Sequence, residues 1–249
     1  MNTKTLSDRA LSVIDQYRNV PYFNNKTVKA RAALGVLVGK GSPREIFDEV
    51  RSIAVKNHVS ADLLADASMK KLLVDNNLGI DCSGFSYYIL NAESEERGKN
   101  SLGKHLAFIH AKGVFGRFMS GLNPVKNIDV ETLADDKNSR VIPLNEIQPG
   151  DMITMIGGPD NNNRNHMLVI HQIEYQNFVP TKIHYSHVMA YPEDGVYGTG
   201  LKQGVIEVSD PEKSLLEQRW IEYGKTGMDN RIFVRAQKSK TELRRLKYF

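Results

Sequence analysis

Gly79-Ile80-Asp81-Cys82-Ser83-Gly84-Phe85 sets the single cysteine of a 249-residue chain just ahead of the spaced apolar residues Phe85, Tyr88 and Ile89. That spacing predicts a helix that begins at the cysteine itself. A helix N-terminus presents aligned N–H groups, which lower a thiol pKa and can receive an oxyanion. Ser83 and Gly84 are small enough to let a substrate carbonyl approach the backbone closely. The competing reading of Cys82 is a small buried hydrophobe. One cysteine excludes an internal disulfide, and it argues against a cysteine-built zinc site, which needs two to four thiolates.

Upstream of this stretch the chain reads as helical. Leu6, Ala10, Val13, Ile14 and Tyr17 share one helical face, and the pattern breaks at Val20-Pro21-Tyr22. Ser42-Pro43-Arg44-Glu45 announces a second helix: Ser42 caps, Pro43 suits the first turn and Glu45 completes a capping box. Its apolar face is Ile46, Phe47, Val50 and Ile53. Ser60 opens a third helical stretch with Leu63, Leu64, Ala67 and Leu72, ending before Asp75-Asn76-Asn77. Residues 25–77 therefore form a helical unit. Residues 92–140 are lysine-rich and poorly periodic, and read as a second insertion with one helix around 103–119.

After the turn Pro149-Gly150-Asp151 the texture changes to short β-type runs: Met152 to Ile156, Met167 to Ile173, Lys182 to Val188, Gly204 to Val208 and Arg231 to Arg235. A polar loop, residues 157–163, separates the first two. A helix from Pro211 to Trp220 is expected between the last two. Helices followed by a mostly antiparallel sheet define one α+β domain over residues 1–249. With 41% hydrophobic and 25% charged residues the chain can bury a substantial core. The formal charge of +4 is modest. Lys238, Lys240, Arg244, Arg245 and Lys247 read as a solvated end. No apolar run reaches the roughly 18 residues of a membrane span, and the N-terminus lacks the basic flank and continuous apolar stretch of a signal peptide. Neither membrane insertion nor ordinary secretion is expected, so the compartment is cytoplasmic or reached by a non-standard route. Nucleic-acid binding is the least supported class, because the basic residues form no stripe with interleaved aromatics.

A thiol nucleophile needs a base from elsewhere in the chain. His166 ends the polar loop and opens an apolar strand, which places an imidazole at the sheet rim. His171 has the opposite strand parity. His184 and His187 share the next strand, and alternation lets only one of them point to the face of His166. A third residue that takes the other imidazole proton fixes the ring, and His184 on the adjacent strand can do so. Cys82 with two histidines could in principle hold zinc, but three ligands of scattered spacing are a poor set, so no metal is expected.

Three stretches in order, Asp81-Cys82-Ser83-Gly84-Phe85, Pro149-Gly150-Asp151 and His166-Met167-Leu168-Val169-Ile170, resemble the NlpC-type cell-wall cysteine peptidases. That resemblance implies a papain-like fold in which the cysteine helix packs on an antiparallel sheet of about five or six strands. It implies Cys82 as nucleophile, His166 as base and, because Lys182-Ile183-His184-Tyr185-Ser186 is similar to the family's third motif, His184 rather than His187 as the third residue. Gly204 to Val208, Trp220 and Arg231 to Ala236 look like the family's closing strands. Tyr17-Arg18-Asn19-Val20-Pro21-Tyr22 resembles the segment that contributes an active-site tyrosine, which makes Tyr22 a candidate for substrate or oxyanion binding beside Asp81 and Ser83; the other reading of Tyr22 is a core aromatic after a turn. Asn24-Asn25 stands where the family has Gly-Gly, and the two insertions flank the cysteine helix.

The implied reaction is amide hydrolysis through a thioester acyl-enzyme, on a stem peptide of bacterial cell wall, with no cofactor. The alternatives are an intracellular acyltransferase, deamidase or transglutaminase using the same thiol, and a catalytically silent binding module on the same fold.

Overall fold

The computed structural model describes residues 2–24, 35–58, 65–111, 113, 121, 123–158 and 165–249. Its architecture is α+β, with helices set against an open, fully antiparallel sheet of nine strands.

The helices begin where capping chemistry puts them. Ser7 caps α1 (Asp8–Gln16). Ser42, Pro43 and Glu45 form the expected capping box of α2 (Pro43–Lys56). That helix buries Ile46, Val50, Ile53 and Ala54, whereas Phe47 is exposed, since the buried stripe drifts toward Ala54. α3 spans Asp66–Asp75; Ser60, Leu63 and Leu64 lie outside the described residues. α4 (Cys82–Glu96) starts at the cysteine with Asp81 as its cap. Between it and the sheet come α5 (Pro124–Asn127) and α6 (Val130–Ala134). The helix expected around 103–119 falls largely outside the described residues, as does most of the polar loop 157–163.

The strands are β1 (Asn2–Thr5), β2 (Ser139–Val141), β3 (Met152–Ile156), β4 (His166–Gln176), β5 (Val179–Met189), β6 (Gly200–Glu207), β7 (Arg219–Glu222), β8 (Lys225–Thr226) and β9 (Lys240–Leu246), in the order β2-β9-β3-β4-β5-β6-β7-β8. β1 pairs with Gln172–Tyr175 of β4; because β5 occupies the other edge there, β1 continues the edge that β3 leaves.

Four expectations are corrected here. The run Arg231 to Arg235 is not a strand but the start of α7 (Arg231–Gln237): Asn230 accepts from the Ile232 and Phe233 N–H groups, and Ile232 and Ala236 are buried four apart. The helix placed at Pro211 to Trp220 is a short 3₁₀ turn, Leu215–Glu217, followed by β7, whose Trp220 fills the core. The basic end is not a solvated tail. It is β9, between β2 and β3, with Arg244 buried against Ser139, Glu242 and Asp136, and Arg245 forked onto the buried Asp151 at 2.7 and 2.9 Å. These bonds satisfy the guanidinium protons and make burial of the charges tolerable. With β1, β2, β7, β8 and β9 counted, the sheet exceeds the expected five or six strands.

Both faces of the sheet are covered. Met167, Val169 and Val188 pack in one apolar cluster with Ala10, Phe85, Ile89 and Cys82. Leu168, Ile170, Tyr185 and Ile206 pack on the other side with Trp220, Ile232 and Ala236. Among the described residues no helix is long and apolar enough to cross a membrane.

Candidate active site

Ile80 and Asp81 are held in a small three-segment crossing before α4 begins. Tyr22 and Lys40 both bridge to Ile80, the Phe23 N–H donates to the Ile80 carbonyl at 3.0 Å, and the Asp81 N–H donates to the Gly39 carbonyl at 2.9 Å. Asp81 then caps the helix: its Oδ1 accepts from the Gly84 N–H at 2.7 Å and its carbonyl from the Phe85 N–H at 2.9 Å. Of the N–H groups in the first turn of α4, those of Cys82 and Ser83 are therefore left for another acceptor. Gly84 has a different use from the one expected. A Cβ there would lie 2.8 Å from the Gly39 carbonyl, so the space over it is taken by the protein's own backbone and not by a substrate.

Cys82 is 6% exposed and lies in a cleft of about 320 Å³. Tyr22, Lys40, Asp129, Glu131 and Asn165 also line it, together with Asp81 and Ser83. The candidates Tyr22, Asp81 and Ser83 thus gather at the cysteine. Lys40, which no motif singles out, joins them.

The histidines separate sharply. His166 Nε2 lies 2.9 Å from His187 Nδ1, and His187 Nε2 lies 2.9 Å from Glu222 Oε2. The Tyr191 hydroxyl donates to Glu222 Oε1 at 2.6 Å. His166, His187 and Glu222 are all buried. The residue on the His166 ring is therefore His187, not His184. The reason is parity: Ser186 pairs with Val169, which sets His187 on the face of Leu168 and His166, while His184 points to the opposite face. There His184 Nε2 meets Glu174 at 2.8 Å, and His171 Nδ1 meets Ser186 Oγ at 3.0 Å.

His187 and Glu222 were both legible in principle. His187 alternates with Tyr185 and Ile183, and Glu222 with Trp220, on faces that are otherwise apolar. Gly204 stands in register between Tyr185 and Glu222, and a Cβ on it would lie 2.2 Å from the Tyr185 oxygen. A glycine inside a strand marks such a close approach.

Cys82 comes to the start of β4 from the helical face, where it packs in one apolar cluster with Met167, whose backbone N–H favours the ionised sulfur. His166 stands one residue away on the other parity. No hydrogen bond joins the described side chains of Cys82 and His166.

The electrostatics favour neutral forms of both. Burial pushes the Cys82 thiol up to about 12, and the Asp81 carboxylate adds to this against Lys40, Arg235 and the Met167 N–H. Burial thus works against the lowering of the thiol pKa that a helix N-terminus is expected to give. Burial, with His187 and Arg235 nearby, holds the His166 imidazole well below its ordinary value. Burial alone would raise the Glu222 carboxyl, yet His187 and the Tyr191 hydroxyl hold it lower.

On the cleft rim His110 Nε2 lies 3.1 Å from Asp129 and 3.3 Å from Glu131, and Asn165 donates to Glu131 at 2.8 Å. These three are the described residues whose potential metal-ligating atoms group within 4.8 Å. Compared with protein-family models, with curated proteins and with solved structures, the chain gives no match.

Proposed function

We propose that this chain is a cysteine hydrolase of papain-like fold that cleaves amide bonds through a thioester acyl-enzyme, with stem peptides of bacterial cell wall as the substrate class. The observation that carries the reading is the buried chain His166–His187–Glu222, ending one residue from Met167, which packs in the apolar cluster of Cys82.

The chain fixes the tautomers. An ionised Glu222 accepts the proton on His187 Nε2, so a neutral His187 offers a lone pair at Nδ1. His166 Nε2–H donates to it, which leaves His166 Nδ1 unprotonated and able to act as base. A neutral thiol and a neutral imidazole suit general-base attack: once substrate binding brings the two within reach, sulfur bonds to the substrate carbonyl carbon as its proton moves to His166 Nδ1. The Cys82 and Ser83 N–H groups can receive the oxyanion. The His166 imidazolium, stabilised through His187 by Glu222, then protonates the departing amine. Water deacylates the thioester with His166 again as base.

The test is chromatography with mass detection of defined stem peptides incubated with the native chain and with Cys82→Ala. The expected result is a new amine and a new acid from the native chain only. Cleavage that survives in Cys82→Ala, or a native chain that leaves every such peptide intact, overturns the proposal. A transferred amide in place of the free acid replaces hydrolysis by acyl transfer.

A further inference from the structure

Lys40 is a buried ammonium, an arrangement that costs several kcal/mol unless every proton finds a partner. All three do: Nζ lies 2.8 Å from Asp81 Oδ1, 2.5 Å from Ser83 Oγ and 2.9 Å from the Ile128 carbonyl. The partners belong to separate parts of the site. Asp81 and Ser83 flank the nucleophile at the start of α4. Ile128 leads into Asp129, which caps α6 by accepting from the Thr132 N–H at 2.8 Å and lines the cleft with Glu131. Lys40 is itself anchored, since its backbone bridges to Ile80 and its carbonyl accepts from the Tyr88 hydroxyl at 2.9 Å.

We infer that Lys40 is a positioning residue of the thiol site, one cation that locks the start of the cysteine helix to the cleft wall and counterbalances the Asp81 carboxylate beside the sulfur. Asp129 and Glu131 line the same cleft, and among the described residues four groups act most directly on the sulfur. Asp81 on the helix cap disfavours a thiolate, Lys40 on the 35–42 segment and Arg235 on α7 favour it, and the Met167 N–H of β4 favours it too. His166, next to Met167, is held neutral by burial. Removing Lys40 therefore leaves the Asp81 carboxylate beside the sulfur without its counter-charge. The catalytic consequence rests on the hydrolase reading, whereas the charge balance does not.

The experiment measures the rate of Cys82 alkylation by iodoacetamide at one mildly alkaline pH, by mass spectrometry on the full chain, with circular dichroism and melting curves as folding controls. Lys40→Met should label about tenfold more slowly than the native chain, the usual scale for losing a nearby opposite charge. Adding Asp81→Asn, which keeps a good cap, should bring the rate back to within about threefold of native. A folded Lys40→Met that labels at the native rate overturns the inference, as does a double variant that stays slow. If Lys40→Met does not fold, Asp81→Asn alone is decisive: it should label faster than native, and an unchanged or slower rate overturns the inference. A chain that cleaves no peptide yet shows this order of rates retains Lys40 in its role and loses the hydrolase reading.

Discussion

β4 and β5 carry two histidine pairs within a few residues of one another, and the two behave differently. His166 and His187 touch ring to ring, with a buried carboxylate behind them and, one residue along β4, Met167 in the apolar cluster of Cys82. His171 and His184 stand with ring centres 6.1 Å apart and bond to separate partners, Ser186 and Glu174, at a partly exposed surface. Each pair has a glutamate. What separates them is which face of the sheet they occupy and what covers it. The first lies on the face closed by Trp220 and α7, where an unpaired imidazole nitrogen is costly and the bonds form a chain. The second has solvent as an alternative partner, so nothing forces its rings together.

This contrast can be broken by substitution. The largest effect should come from His166→Ala and Cys82→Ala, each lowering turnover on the order of 10³-fold or more, while His171→Ala stays within about twofold of native. Steady-state rates on a cleavable stem peptide check this, and comparable losses at His166 and His171 would erase the distinction. His187→Ala should follow with about a 10²-fold loss, the scale of general acid–base assistance, and His184→Ala with almost none. The reverse order would restore His184 as the orienting residue.

The second pair should show itself in stability. Burial holds His171 at about 4, below its ordinary 6.5. Between those values the unfolded chain binds a proton that the folded chain refuses, so stability falls as pH drops from 6.5 toward 4. Discounted for its partial exposure, the loss is about 2 kcal/mol. His166 is held lower for the same reason and pulls in the same direction. Urea unfolding at neutral pH and near pH 4 should show a drop that His171→Gln reduces; an identical drop in the variant would assign it elsewhere. The smallest effect is expected for Glu174→Gln, which weakens a partly exposed hydrogen bond with His184 by about 0.5 kcal/mol or less.

Much of the fold was legible where local chemistry and periodicity agree. Ser42-Pro43-Arg44-Glu45 and Asp81-Cys82 each fix a helix start through a cap, and β3, β4 and β5 announce themselves by β-rich runs. The misreadings lie where tertiary partners override local signals. Lys240–Leu246 looks like a solvated basic end until Asp151, Asp136 and Ser139 come from more than 90 residues away to receive Arg244 and Arg245. Ile232-Phe233-Val234 favours a strand by composition, yet Asn230 caps it as a helix. At the candidate site, the placement of Cys82 at a helix start and of His166 at a strand start could be read from sequence, because both are local features. Choosing between His184 and His187 needed the β4–β5 register, and Lys40 became visible only once residues 40, 81, 83 and 128 met in space.

The most direct measurement is the intact mass of the chain after brief mixing with an activated peptidyl ester, with peptide mapping to locate the adduct. The account predicts a single acyl group on Cys82 of the native protein, formed at the native rate in His171→Ala and His184→Ala, much more slowly in His187→Ala, and not at all in His166→Ala. Acylation indifferent to all four histidines, or a native Cys82 that takes up no acyl group, would contradict it.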